Sequence, residues 1–441
     1  MNHIVNTSLM LLRHTRLIYV GVLVALLAAP DVIGQPLPRV QPEEVGLSSE
    51  RLERLTAALE GYVQDGKLAG GVALVARHGK VAYVKAFGQR DIESGSPMQE
   101  DAIFRIASQT KAVVSVAVMM LQEQGKLLIT DPVGKYLPEF QETTVAVPRE
   151  GGGYDVVKAR RPITIRDLLT HTAGIGYGSG VAADKWKEAG IQGWYFADRD
   201  EPVGATVARM AALPFDAQPG EKWVYGYNTD ILGALVERVS GVSLDEFLRT
   251  NILEPLRMND THFYLPASKR DRLATVYSSG DTGLERAPDP GGMVGQGAYV
   301  EGPRKSFSGG AGLLSTADDY ARFLQMLLNG GELDGVRILS PNTVKLMTVD
   351  HIDGVAFRAG EGFGLGFSVV EDVGKRGVPG SVGEFGWGGA YHSTYWVDPQ
   401  EDLVVVYFTQ LIPARDVDDH GKLRTLVYQA IVEEPALTTG L

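Results

Sequence analysis

The chain contains one S-x-x-K, Ser108-Gln109-Thr110-Lys111. About one such match is expected by chance in a sequence this long, so its surroundings must decide its meaning. Residues 112–121 (AVVSVAVMML) are almost wholly apolar, and they predict a buried helix that runs on to Gly125. Ser108 then stands in the first turn of that helix, with Lys111 one turn on and on the same face. Backbone N–H groups at a helix N-terminus favour negative charge, which helps a serine oxygen act as an alkoxide-like nucleophile. The same dipole and the apolar surroundings disfavour a positive charge on Lys111, which suits it to act as a base. The alternative is a Ser cap with a Lys reaching to solvent. An ordinary surface Lys does not usually introduce a helix this apolar.

Other reactive groups are thinned out by the composition. Cysteine is absent, which removes disulfide frameworks, thiolate zinc sites, iron–sulfur clusters and Cys nucleophiles together. The 8 His residues are scattered, with no H-E-x-x-H and no pair at i, i+4, so no metal centre is expected. No G-x-S-x-G elbow occurs, which counts against an α/β-hydrolase. The formal net charge is −12 without a basic stripe, so no nucleic-acid partner is expected.

The elements that must hold Ser108 and Lys111 can be read from periodicity. Residues 48–62 repeat apolar positions at helical spacing (Leu52, Leu55, Leu59, Tyr62). Two β-rich runs follow at 71–76 and 80–88, split by His78-Gly79. Helical patterns dominate the middle of the chain. Residues 229–240 place Ile231, Leu232, Leu235, Val236 and Val239 on one face and stop at Gly241. Thr316-x-x-Asp319 resembles a capping box that opens another helix. Strand signals return at 364–370, 393–397 and 403–409, and a last helix fits 422–433. There is no βαβ alternation. The reading is α+β: an antiparallel sheet built from N- and C-terminal strands and flanked by terminal helices, beside a large, mainly helical region. Residues 35–441 are expected to form a single domain, with an α/β part at about 45–105 and 350–435 and a helical part at about 106–349. Residues 1–34 read as a signal peptide, with Arg13 and Arg16 before a 13-residue apolar run that is too short to span a bilayer. The expected location is secreted or periplasmic, with no stable membrane insertion after cleavage.

The segment FRIASQTKAVVSVAVMMLQEQGKL, followed by DPVGKYLPEF, resembles the region around the nucleophile in the serine β-lactamase and penicillin-binding-protein-like superfamily. Four more blocks match in order: ITIRDLLTHTAGI (163–175), WVYGYNTDILGALVERVSG (223–241), SGGAGLLSTADDYARFLQMLLNGG (308–331) and GEFGWGGAYHSTYWVDP (383–399). The resemblance spans roughly residues 40–430 and implies a class C-like fold. It implies Ser108 as nucleophile, Lys111 as its partner base and Tyr225 as the tyrosine of the second motif. The register Y-x-x-x-x-D-x-x-G from Tyr225 to Gly233 is that of the esterase branch. Tyr227 is the competing choice and a candidate substrate contact.

The third motif bears on the subfamily. β-Lactamases and penicillin-binding enzymes carry K-S/T-G there, whereas this chain has Trp387-Gly388-Gly389. That triplet is similar to the family VIII carboxylesterases and related acyltransferases. Paired glycines let a substrate approach the backbone, and the Ala390 N–H is expected to join the Ser108 N–H as an oxyanion hole. A cation for a substrate carboxylate is lost, and Trp387 offers an apolar wall suited to uncharged esters. His171 invites a Ser-His-Asp triad but lies in a block that resembles a structural loop. His392 is a weaker candidate for lining the site. The expected function is an exported serine hydrolase that cleaves small-molecule carboxylic esters through an acyl-enzyme, without a cofactor. A β-lactamase or D-amino-acid-specific peptidase of the same fold is the nearest alternative. A non-catalytic peptidoglycan- or ligand-binding module is another.

Overall fold

The apolar run Leu403–Thr409 (LVVVYFT) shows no polar alternation because both faces of its strand are covered. In the computed structural model, which describes residues 36–433, this strand lies inside an eight-stranded antiparallel sheet. Three strands come from the N-terminal side: β1 (Gly70–Arg77), β2 (Lys80–Asp91) and β3 (Ser96–Pro97). Five come from the C-terminal side: β4 (Glu361–Phe363), β5 (Ser368–Val370), β6 (Phe385–Gly389), β7 (Ser393–Asp398) and β8 (Leu403–Thr409). Their order across the sheet is β4-β5-β6-β7-β8-β1-β2-β3. The two ends of the chain join at β1 and β8, where Val72 lies opposite Phe408 and Ala76 opposite Val404.

Strand alternation divides the core into two layers. Ala73, Val75, Val405 and Tyr407 face α1 (Ser49–Gln64) and the C-terminal helix Asp419–Tyr428, meeting Leu52, Leu55, Leu59, Leu423 and Val427. Val72, Leu74, Val404, Val406 and Phe408 belong to the larger cluster on the opposite face. That face packs against α2 (Thr110–Glu123), α3 (Asn228–Ser240) and α4 (Ala317–Leu328); the C-terminal helix is α5. Helix α2 is apolar almost all round and is buried from Thr110 to Met119, as a helix enclosed by protein must be. The architecture is the α+β arrangement read from the sequence, and the described residues lie within one compact unit.

The details differ in three places, one of them the last helix, which was expected over 422–433 and runs Asp419–Tyr428. A single strand was expected over 364–370, but the chain makes two short ones, β4 and β5. They are joined through Gly366, whose φ of +100° turns the chain back. The box at Thr316 is half made. Its hydroxyl accepts from the Asp319 N–H, while the Asp319 carboxylate accepts from Asp260 N at 2.8 Å and Thr261 Oγ1 at 2.9 Å. The expected signal segment, residues 1–34, lies outside the described residues. No described helix is long and apolar enough to cross a membrane.

Candidate active site

Ser108 lies on a 3-10 turn, Ala107–Gln109, that feeds into α2. Ala107 takes the left-handed conformation at φ +43°, a strained choice for a residue with a side chain. Neighbouring elements fix the turn: Tyr320 on α4 donates to the Gln109 carbonyl at 2.9 Å, and Leu313 N–H donates to Thr110 Oγ1 at 3.0 Å. The nucleophile candidate is therefore positioned by packing between α2, α4 and the sheet.

Lys111 is buried, and its Nζ donates to three oxygens: Gly310 O at 2.7 Å, Ser108 Oγ at 3.1 Å and Tyr177 OH at 3.2 Å. An ammonium has three N–H groups, and each has an acceptor. Asp230 on α3 lies behind this cluster. Its Oδ1 accepts from Ser308 Oγ at 2.6 Å and from Gly310 N at 3.0 Å, which holds the carbonyl that Lys111 uses. Burial raises the Asp230 carboxyl above the usual range, with the Ser308 bond and the Lys111 charge opposing that rise.

Tyr225 shares this site. Its ring centroid is 4.7 Å from Lys111 Nζ, and its hydroxyl accepts a hydrogen bond from Trp387 Nε1 at 3.0 Å. Trp387 is thus a donor as well as the apolar wall expected of it. Trp223 stacks on the Tyr225 ring at 5.5 Å, and His171 packs against it at 4.8 Å. His171 is buried, with Nδ1 2.9 Å from Asn228 Nδ2, and burial together with Lys111 pushes its pKa well below the usual value. Its place is behind the tyrosine, not beside Ser108 in a triad.

Tyr177 was not singled out from the sequence. It accepts from Lys111 and meets the Tyr225 ring edge-on at 5.7 Å. Burial, with Tyr225 and Asp230 next in effect, holds its hydroxyl well above the usual pKa, so it stays protonated. The signal was there to be read, because Gly176-Tyr177-Gly178 directly follows the block at 163–175. Tyr227 is a correction: it does not line the cavity as a substrate contact. Its ring is fully buried and stacks on Trp186 at 5.6 Å, and its hydroxyl donates to Gly193 O at 2.7 Å.

A cavity of about 510 Å³ opens onto Ser108, Tyr177, Tyr225 and the β6 residues Trp387, Gly388 and Gly389, with Ala390 just beyond. A Cβ at Gly389 would stand 2.5 Å from the Ile106 carbonyl oxygen, so only glycine lets β6 lie this close to the nucleophile turn. His392 also lines the cavity. With Asp419 and His420 it forms a cluster whose donor atoms lie within 4.8 Å of one another. His392 Nε2 is 2.7 Å from Asp419 Oδ1, while Tyr407 OH donates to Asp419 Oδ2 at 2.7 Å. The two imidazoles stack at 4.1 Å and 17°. Both carboxylate oxygens are engaged, and the cluster fastens the β6–β7 turn to α5.

The profile of the beta-lactamase family matches residues 55–429. The chain belongs to that family. It is 35% identical over 378 residues to Esterase EstB of Burkholderia gladioli, covering 81% of this chain and 89% of that protein. It is 37% identical over 378 residues to Protein Rv1367c of Mycobacterium tuberculosis, covering 82% and 90%. Among solved structures, EstCE1, a hydrolase with promiscuous acyltransferase activity, superimposes with a TM-score of 0.73 at 29% identity. That match covers 86% of this chain and 98% of EstCE1. Simvastatin synthase LovD from Aspergillus terreus shares the fold, with a TM-score of 0.74 at 24% identity over 89% of this chain and 100% of LovD. This family assignment and its esterase relatives make the protein a serine hydrolase.

Proposed function

We propose that this protein hydrolyses carboxylic esters through an acyl-enzyme on Ser108. The observation that carries the reading is the buried Lys111 Nζ, which bridges Ser108 Oγ and Tyr177 OH in a cavity shared with the Trp387–Tyr225 pair. Lys111 Nζ turns its lone pair to the Ser108 hydroxyl while still donating to Gly310 O and Tyr177 OH, and Ser108 Oγ attacks the acyl carbonyl as its proton passes to that nitrogen. The N–H groups of Ser108 and Ala390 hold the oxyanion. Tyr225 gives a proton to the leaving alkoxide, and water then releases the acyl group by the reverse relay. EstB and EstCE1 support ester chemistry by similarity.

The test compares initial rates on p-nitrophenyl butyrate and nitrocefin for wild type and Ser108→Ala. Ester turnover should exceed nitrocefin turnover, and the substitution should lower kcat on the ester by roughly a thousandfold or more. A faster rate on nitrocefin would favour the β-lactamase reading. Wild-type ester turnover by Ser108→Ala would remove Ser108 as nucleophile. We also propose that residues 1–34 direct export, on the strength of Arg13, Arg16 and the apolar run after them. The periplasmic protein should then begin at Gln35; an intact Met1 N-terminus in that fraction would contradict cleavage.

A further inference from the structure

Besides the two His residues, three cationic side chains line the cavity: Arg358, Arg376 and Arg424. Two of them are fully committed. Arg376 donates to Glu361 Oε1 at 2.8 Å and to Glu384 Oε1 at 2.9 Å. Arg424 grips Glu384 with both terminal nitrogens, at 2.7 and 2.8 Å, and also donates to the Pro379 carbonyl at 3.1 Å. Three guanidinium groups thus face two carboxylates on this wall, Glu361 and Glu384, which leaves one positive charge in excess.

That charge belongs to Arg358. Among the described residues, its only polar partner is Glu361 Oε2 at 3.5 Å, beyond a good hydrogen bond, while Arg376 holds the other oxygen of that carboxylate, Oε1, at 2.8 Å. Its other partners are aromatic faces: the guanidinium carbon lies 4.9 Å from the Trp387 ring centroid and 5.2 Å from that of Phe357. Stacking on indole fixes the plane of the group but leaves the N–H groups on its edge unused. The side chain is 57% exposed, so those N–H groups face solvent and the cavity mouth. The indole beneath is the one whose N–H donates to the Tyr225 hydroxyl, so the free cation sits one aromatic ring away from the reacting groups. A planar fork of donors held flat at the mouth of an active site is suited to a carboxylate, which it can grip with two parallel bonds. The whole chain, at −12, repels anions. An Arg in excess of the local carboxylates reverses that at the mouth of the cavity.

We infer that Arg358 is the receptor for a carboxylate carried by the substrate, and that the preferred esters are monoanionic. This rests on the esterase reading above and replaces the expectation, drawn from Trp387 alone, that uncharged esters suit the site.

Two matched substrate pairs test the inference. With the charge on the acyl side, mono-p-nitrophenyl glutarate is compared with p-nitrophenyl pentanoate. With it on the alcohol side, 4-butyryloxybenzoate is compared with its methyl ester. The quantity read is the anionic-to-neutral ratio of kcat/KM within each pair. In at least one pair Arg358→Met should lower this ratio by about tenfold, Arg358→Lys should keep part of it, and raising salt from about 20 to 500 mM should shrink it in wild type. Ratios that are equal in wild type and Arg358→Met for both pairs would overturn the inference while leaving the esterase intact. If wild type turns over none of the four esters, the esterase reading falls, and this inference falls with it.

Discussion

Trp387 carries a polar function as well as an aromatic wall. Its indole N–H donates to the Tyr225 oxygen, which leaves the phenol's own proton for another acceptor. A donor fixed on that oxygen stabilises the phenolate as it forms, and the bond strengthens only as the proton leaves. Trp387→Phe keeps the aromatic wall and the seat for Arg358 but removes the N–H. Losing one hydrogen bond to a developing charge should cost kcat roughly 10- to 100-fold on p-nitrophenyl butyrate, with KM changed by no more than about twofold. A raised KM with unchanged kcat would reduce Trp387 to a wall. Steady-state kinetics separates the two outcomes.

Elements were legible in the sequence wherever a local pattern carried them. The S-x-x-K mattered because the apolar run behind it demanded a buried helix, and α2 is that helix. The run at 403–409 demanded a strand covered on both faces, and β8 is covered by α1 and α5 on one side and the helical region on the other. The turn at Gly366 was missed because a strand that reverses over four residues looks like one continuous strand in hydropathy. Which tyrosine enters the cavity was only partly readable, from the register that favoured Tyr225 and the matched block just before Tyr177. Tyr177, Tyr225 and Tyr227 have the same composition-level signal, and packing separates them: Trp186 draws Tyr227 into the core, and Lys111 draws Tyr177 to the site. Arg358 was silent, because its availability depends on Glu361 being occupied by Arg376, a fact about three side chains rather than any segment. Gly389 lies between these cases. Its place in the W-G-G block was visible, but the reason for it is the Ile106 carbonyl, which arrives from nearly 300 residues earlier in the chain.

Across the whole molecule, burial of imidazoles predicts acid sensitivity. His171, His262, His351 and His420 all have pKa values lowered chiefly by burial, and that of His262 falls to about 4 from an ordinary 6.5. At His262 burial is the largest cause and Lys269 the next: the imidazole Nε2 lies 3.0 Å from Lys269 Nζ, so a proton there would face an ammonium. Below pH 6.5 the unfolded chain takes up a proton that the folded protein refuses until about pH 4. Stability from this group is therefore complete above 6.5 and is lost as pH falls toward 4, since the unfolded state binds more protons in that window. Asp319 acts in the opposite direction. Burial raises its pKa to about 7, so its contribution is lost as pH rises toward that value. The raw pH profile mixes both signs, and a difference between two proteins isolates the imidazole. Wild type and His262→Gln should be unfolded in urea at about pH 7.5 and 5.0. The advantage of wild type over the variant should shrink by up to about 2 kcal/mol at the lower pH, read from midpoints at constant m. An equal difference at both pH values would mean that the folded imidazole takes up its proton as readily as the unfolded one, and that Lys269 does not exclude it.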